Sequence, residues 1–187
     1  MRESVLYDPD ATSAEIDRFL DELVAFYQSC RKDEPERLLH LVGIRSRGDT
    51  LAKRLAAKLE AAGEQPGELG VIDITLYRDD FSPGRLQPML GPSEMPFDVD
   101  HTHLILIDDV FQTGRTIRAA LNQISDYGRP HRVTLAVFID RVMRELPIRP
   151  DFTGLEIARP PAERVQLLLQ EDDGEDHVIS VRAEESP

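Results

Sequence analysis

The chain has 187 residues, of which 41% are apolar and 30% are charged, so it can build one core and has little material for a second. Lys and Arg number 22 against 35 Asp and Glu, and the resulting charge of −13 argues against general binding to nucleic acid. The single cysteine, Cys30, excludes a disulfide framework or a cysteine zinc cluster within the chain. No apolar run approaches the ~18 residues of a membrane span. We therefore expect a cytoplasmic protein without membrane contact, forming one domain over residues 1–187.

The first half of the chain predicts a helix, a strand and a second helix. Thr12 and Glu15 have the spacing of a capping box, and apolar residues at helical spacing follow as far as Tyr27. The apolar run 38–44 has the length of a strand. The helix after it is expected to end at Gly63.

The second half begins with a strand in which Ile72, Ile74 and Leu76 alternate with polar residues. Residues 81–100 carry four prolines, which predicts a flap or hood, at about 78–102, in place of a plain connector. A buried strand, a helix, another buried strand and a terminal hairpin follow at 104–107, 115–127, 133–139 and 163–182. The acidic run 171–176 is expected to be a solvated hairpin turn.

Strands that alternate with helices predict an α/β fold, in which helices cover both faces of a mostly parallel central sheet. Ligands of such folds collect at the carboxyl ends of the strands. The chemistry is therefore expected after Ile44, Ile107 and Ile139.

The sharpest motif is an apolar strand that ends in an acid pair and a short turn. Leu104–Ile107 is followed by Asp108 and Asp109, and the turn 112–116 then opens a helix. Hydroxyls, backbone N–H groups and the helix dipole together favour an anion there. Two carboxylates beside an anion site suit a phosphorylated sugar, because they can accept hydrogen bonds from ribose hydroxyls.

Two other structures are compatible with this motif. One is a buried strand before a capped helix, with the acids simply exposed to solvent. The other is a response-regulator receiver, but receivers place paired acids on the first strand and need a later lysine. Asp140 is the only acid that ends a later core strand, and its neighbourhood has no lysine.

A second motif follows the strand 38–44. Arg45, Ser46, Arg47 and Gly48 form a tight loop before a helix, and arginine forks match phosphate oxygens. Taken alone, the loop could equally be a turn with solvated arginines.

The string from Leu104 to Thr116 resembles the phosphoribosyl diphosphate (PRPP) signature of type I phosphoribosyltransferases. Residues 73–80, 135–141 and 144–149 resemble the PyrR family, pyrimidine regulators that are also uracil phosphoribosyltransferases. The resemblance covers about residues 38–155. It implies the type I phosphoribosyltransferase fold with a hood over the site.

The resemblance also implies the reaction: uracil and PRPP give UMP and pyrophosphate. Magnesium is then carried by PRPP without a strong direct protein ligand. The catalytic residues would be Asp108, Asp109 and Arg47. Contacts with PRPP would come from Arg45, Ser46, Arg47, Gly48, Asp108, Asp109, Gln112, Thr113, Gly114, Arg115 and Thr116. The hood and base contacts would come from Tyr77, Arg78, Asp79, Asp80, Asp140 and Arg141.

The same resemblance bears on the base and on RNA. Gln112 stands where purine enzymes of this type usually carry an acid, so a pyrimidine is favoured, although another base stays open. Regulatory members bind messenger RNA through a basic face, which here would involve the first helix and the stretch 141–156 with Arg144 and Arg149. Met143 and Leu155 replace a histidine and a lysine usual in the family, which argues against RNA attenuation. The resemblance favours a homodimer or a higher homo-oligomer.

Overall fold

The structure is a computed structural model that describes residues 2–74 and 93–182, with only the backbone of Arg2. Its helices are α1 (Pro9–Asp33), α2 (Gly48–Ala61), α3 (Arg115–Tyr127) and α4 (Gln170–Asp173). Its strands are β1 (Arg2–Tyr7), β2 (Leu39–Ile44), β3 (Leu69–Ile72), β4 (His103–Phe111), β5 (Arg132–Asp140), β6 (Phe152–Glu156), β7 (Glu163–Leu168) and β8 (His177–Arg182). None of the helices in the described ranges is both long and apolar enough to cross a membrane.

The central sheet has five parallel strands in the order β3-β2-β4-β5-β6. Its middle strands are buried along most of their length because helices cover both faces, as the sequence predicts. One core cluster joins α1 and α2 to the sheet through residues such as Phe19, Leu55 and Ile105. The other joins α3 through Ile117 and Leu106. The predicted α/β class is confirmed.

A second, antiparallel sheet has the order β1-β8-β7. β1, which pairs with β8 from the far end of the chain, was not predicted from the sequence. Nor was β6, the edge strand of the central sheet. The terminal hairpin is present as β7 and β8, with the short helix α4 in its turn.

Two local predictions need correction. The expected capping box at Thr12 and Glu15 is wrong: α1 begins at Pro9, and its N-cap is Asp8, whose Oδ1 accepts a 2.9 Å bond from the Ala11 N–H. Thr12 instead lies buried inside the first turns. The strand expected from Ile72 onward does not extend over Asp73 and Ile74, because β3 ends at Ile72; Leu76 lies outside the described residues.

Candidate active site

The carboxyl ends of three neighbouring parallel strands form the site. β2, β4 and β5 are adjacent in the central sheet, so the residues after Ile44, Ile107 and Ile139 meet at one edge. The fold therefore brings together the three places where the sequence predicts chemistry.

The loop between β2 and α2 fits tightly against β4. A Cβ atom on Gly48 would lie 2.5 Å from the carbonyl oxygen of Ile107, which is closer than any side chain allows. The backbone N–H of Arg45 donates a 2.8 Å bond to the carbonyl of Ile72, and the peptide bond from Arg45 to Ser46 is cis. Glycine at position 48 thus lets the two-arginine loop lie directly beside the strand that carries the acid pair.

The acid pair lies inside β4, because the strand runs on to Phe111. Along this strand Leu106 packs on the α3 side and Ile107 on the opposite side. If side chains alternated strictly along the strand, Val110 would lie on the same face as Leu106. Val110 instead packs on the face of Ile107, and Phe111 packs on the α3 face. The alternation of faces therefore reverses at the two aspartates, a local irregularity of the kind that re-aims side chains at functional sites.

The two acids differ in environment. Asp108 is only 3% exposed, whereas Asp109 is half-buried. Burial raises the pKa of Asp109, while the Val110 N–H and the positive charge of Arg47 oppose the rise. Asp109 and Arg47 therefore attract each other across the site, which links the loop after β2 to the acid pair.

The turn before α3 contains a left-handed glycine and is bonded to the segment after β5. Gly114 is the N-cap residue of α3 and has φ +91°, a left-handed conformation that suits glycine. The carbonyl of Thr113 accepts bonds from the N–H groups of Glu145 and Leu146, both 3.1 Å long. The side chain of Arg115 pairs with Glu145 at 2.9 Å. The segment after β5 thus holds the turn in place through these bonds.

Arg47 is held by the acidic turn of the β7–β8 hairpin. Its Nε and Nη2 donate to the two carboxylate oxygens of Asp173 at 3.0 and 2.8 Å. This pairing raises the pKa of Arg47. Residues 171–175 of this turn are exposed, as the sequence predicts, but the acids also pair with Arg47 and with α2, which the sequence did not predict.

Residues 14–165 match the family described as the phosphoribosyl transferase domain. The chain is 43% identical over 183 residues to the "Bifunctional protein PyrR" of Roseiflexus sp. (strain RS-1), covering 97% of each chain. It is 44% identical over 164 residues to the protein of the same name from Elusimicrobium minutum (strain Pei191), covering 88% of this chain and 90% of that one. The chain belongs to the PyrR family of phosphoribosyltransferases.

Solved structures confirm the type I phosphoribosyltransferase fold. A hypoxanthine phosphoribosyl transferase from Trypanosoma cruzi superposes with a TM-score of 0.63 at 15% identity, covering 83% of this chain and 78% of that one. An HGPRT-ase from Leishmania tarentolae in complex with GMP gives 0.62 at 15% identity, covering 83% and 82%. At these identities the likeness concerns the fold alone.

The PyrR resemblance named two base-contacting residues at the end of β5, and both side chains have partners within the protein. Asp140 accepts bonds from the Val142 N–H and from the guanidinium of Arg144. Arg141 is fully buried, and its guanidinium donates to the carbonyls of Arg159 and Pro160. Contact of Asp140 and Arg141 with a base stays a prediction.

Four further residues named for the hood, Tyr77, Arg78, Asp79 and Asp80, lie outside the described residues, which also omit most of the predicted hood. The described residues on either side of this gap are tied to β3. The Asp73 N–H donates to Ser93 Oγ at 2.9 Å, and Glu94 forms an antiparallel bridge with Val71.

Two residues of α2 beside the arginine loop were not predicted from the sequence to take part in the site. Thr50 and Arg54 bond to acids of the hairpin turn, as Arg47 does. Residues 47, 50 and 54 share one face of a helix, and that spacing was a signal for a partner.

Proposed function

We propose that this protein is a uracil phosphoribosyltransferase, which transfers the phosphoribosyl group of PRPP to uracil and releases pyrophosphate and UMP. The observation that carries the proposal is the position of the acid pair. Asp108 and Asp109 lie between the two-arginine loop and the turn at Gly114, at the carboxyl edge of a phosphoribosyltransferase sheet.

The cradle, residues 108–116, would hold the ribose and its 5′-phosphate. Asp108 and Asp109 would accept hydrogen bonds from two ribose hydroxyls. The hydroxyls of Thr113 and Thr116 and the amino end of α3 would bind the phosphate, and Gly114 would let the backbone approach it. Gln112 and Arg115, on either side of the turn, would also contact PRPP.

The loop after β2 would receive the leaving group. As the bond to pyrophosphate breaks, positive charge develops at ribose C1 and negative charge on the pyrophosphate oxygens. Arg45 and Arg47 would stabilise the negative charge, with Ser46 and the backbone of Gly48 as further donors. The carboxylates of Asp108 and Asp109 would favour the positive charge on the sugar.

The residues of the cradle fit magnesium, because Asp108 and Asp109 offer the hard oxygen atoms that this ion prefers. We propose that the pyrophosphate of PRPP holds the magnesium ion. The negative charge of Asp108 and Asp109 would balance part of the positive charge of the ion. When bound, magnesium supplies positive charge to the departing pyrophosphate.

The choice of a pyrimidine follows from the absence of an acid at position 112. Gln112 is half-buried beside the acid pair and has no carboxylate to act as a proton acceptor for a purine ring. The base would lie near the end of β5, at Asp140 and Arg141, and residues 77–80 would supply further contacts.

A screen of free bases tests this function directly. The protein is incubated with PRPP, magnesium and one base at a time, and the nucleotide formed is identified by chromatography. We expect UMP from uracil, with hypoxanthine and guanine at least about a hundredfold slower. Preferred formation of a purine nucleotide, or no nucleotide from uracil, would contradict the proposal.

An RNA-binding attenuator, with nucleotides as effectors and little catalysis, is the second candidate, because the relatives carry the word bifunctional in their names. The charges around the expected RNA face disfavour it. Arg144 pairs with Asp140, and Arg18 on α1 lies between Glu15 and Glu22. RNA phosphates need accessible cations.

Titration of a labelled pyrimidine-operon leader, with and without UMP, should give weak binding; tight UMP-dependent binding would favour the attenuator.

A further inference from the structure

The acidic turn of the β7–β8 hairpin forms a ladder of bonds along one face of α2. Asp173 pairs with Arg47, and Asp172 Oδ2 accepts a 2.7 Å bond from Thr50 Oγ1. The next acid, Glu171, accepts a 2.8 Å bond from Nε of Arg54. Because residues 47, 50 and 54 lie one helical turn apart, three consecutive acids fix three successive steps of one helix face.

The first step of this ladder differs from the others because Arg47 also belongs to the arginine loop of the site. Asp173 binds the edge of the guanidinium formed by Nε and Nη2. Arginine has five N–H donors, so Nη1 and the second hydrogen of Nη2 are left for an anion.

The carboxylate of Asp173 is held by bonds to the backbone of its own turn as well as by Arg47. Its Oδ2 accepts a 2.9 Å bond from the Leu169 N–H as well as the bond from Arg47, and the hydrogen bond from Arg47 lowers the pKa of Asp173. The side chains of Arg47 and Asp173 are 24% and 20% exposed, so water screens the pair only in part. The guanidinium is therefore held by a rigid partner.

We propose that Asp173 is a positioning residue for Arg47, which it orders in advance so that the free edge of the guanidinium meets the pyrophosphate of PRPP. This inference rests on the proposed function and adds the C-terminal hairpin to the site. A flexible arginine loses side-chain entropy when it binds, and a side chain already ordered in the free protein avoids that loss.

The alternative is that Asp173 competes with pyrophosphate and draws Arg47 away from the site. The electrostatics favour positioning: while paired with Asp173, Arg47 still attracts the carboxylate of Asp109 in the cradle. Pairing with the hairpin and closeness to the acid pair are therefore compatible.

The test compares Asp173→Asn with Glu171→Gln, measuring the binding of pyrophosphate and of PRPP with magnesium by calorimetry. Both variants remove one carboxylate charge from the same turn, but Glu171 bonds to Arg54, which is outside the arginine loop. We expect Asp173→Asn to weaken both ligands about tenfold and Glu171→Gln to weaken them less than twofold. The unfolding midpoints of the two variants should be similar, which separates positioning from a general loss of stability.

A double-mutant cycle adds a readout that a structural role would not move. In the Arg47→Ala background, Asp173→Asn should change pyrophosphate binding less than twofold, because the residue through which it acts is gone. Unchanged or tighter binding by Asp173→Asn alone would overturn the inference, as would an undiminished effect without Arg47. If the unaltered protein binds neither ligand, the proposed function itself fails, and the inference fails with it.

Discussion

At the residue scale, Gly114 has a left-handed backbone conformation, and an added side chain would make only ordinary van der Waals contacts there. Its φ is +91°, and an added Cβ atom would lie 3.4 Å from Cβ of Leu146 and 3.6 Å from Cζ of Phe111. The motif Thr-Gly-Arg-Thr could be found in the sequence, since it is local. The packing of the turn against residues 145–148 could not, because it depends on a segment about thirty residues later.

Gly114→Ala should therefore weaken PRPP binding as well as stability. A non-glycine residue in the left-handed region costs roughly 1–2 kcal/mol, which thermal or urea unfolding measures. Gly63→Ala is the matched control. Gly63 also has a left-handed backbone, with φ +82°, and among the described residues beyond its two chain neighbours no atom lies within 4 Å of the position that its Cβ would occupy. We expect both variants to lose similar stability and only Gly114→Ala to lose PRPP affinity. Equal affinity in the two variants would show that the turn does not hold the ligand.

Arg47 is the residue whose charge the proposed chemistry needs most as pyrophosphate departs. We predict that Arg47→Ala lowers kcat about a hundredfold with a smaller change in KM for uracil, because the charge it stabilises develops in the transition state. Lys53→Ala, which removes an exposed cation from α2, the helix that Arg47 caps, is the control. A kcat unchanged by Arg47→Ala would make the loop structural.

At the scale of elements, local sequence patterns predicted the helices and the long strands. Apolar spacing predicted α2 and α3 close to their observed bounds. The strand β1 was not predicted, because it depends on pairing with β8, a segment far away in the sequence. The capping residue of α1 was misjudged because Asp8, followed by Pro9, offered an earlier start than Thr12.

The contact between β4 and β5 includes a buried histidine with a consequence for stability. His103 is 5% exposed, and its Nε2 lies 2.8 Å from Oγ1 of Thr134. Burial, followed by the nearby charge of Arg132, lowers the pKa of His103 from 6.5 to about 4. The folded protein therefore favours the neutral ring.

Since the unfolded chain takes up this proton near pH 6.5 and the folded protein only near pH 4, the free energy of unfolding should fall as the pH drops through that window. The contribution of His103 is about 3 kcal/mol at most. Urea unfolding from pH 7 to pH 4 should show a shallower fall for His103→Gln than for the unaltered protein. His131→Gln, at an exposed histidine, is the control. Identical pH profiles for His103→Gln and the unaltered protein would contradict this role.

At the scale of the whole molecule, the candidate site is built from three segments that are far apart in the sequence. The two-arginine loop follows β2, the cradle follows β4, and the hairpin that holds Arg47 lies between β7 and β8. Sequence patterns predicted the first two because each motif is continuous. They missed the third because acidic residues in a turn usually face water, and only the folded structure places them against α2.

The central claim is that residues 108–116 form a cradle for a phosphorylated ribose, and equilibrium titration with PRPP and magnesium tests it most directly. The comparison is between the unaltered protein and Asp108→Asn/Asp109→Asn, which keeps the size of both side chains while removing their charge. We predict that the double variant stays folded by circular dichroism and binds PRPP at least about tenfold more weakly. Equal affinity in the two proteins would contradict the account.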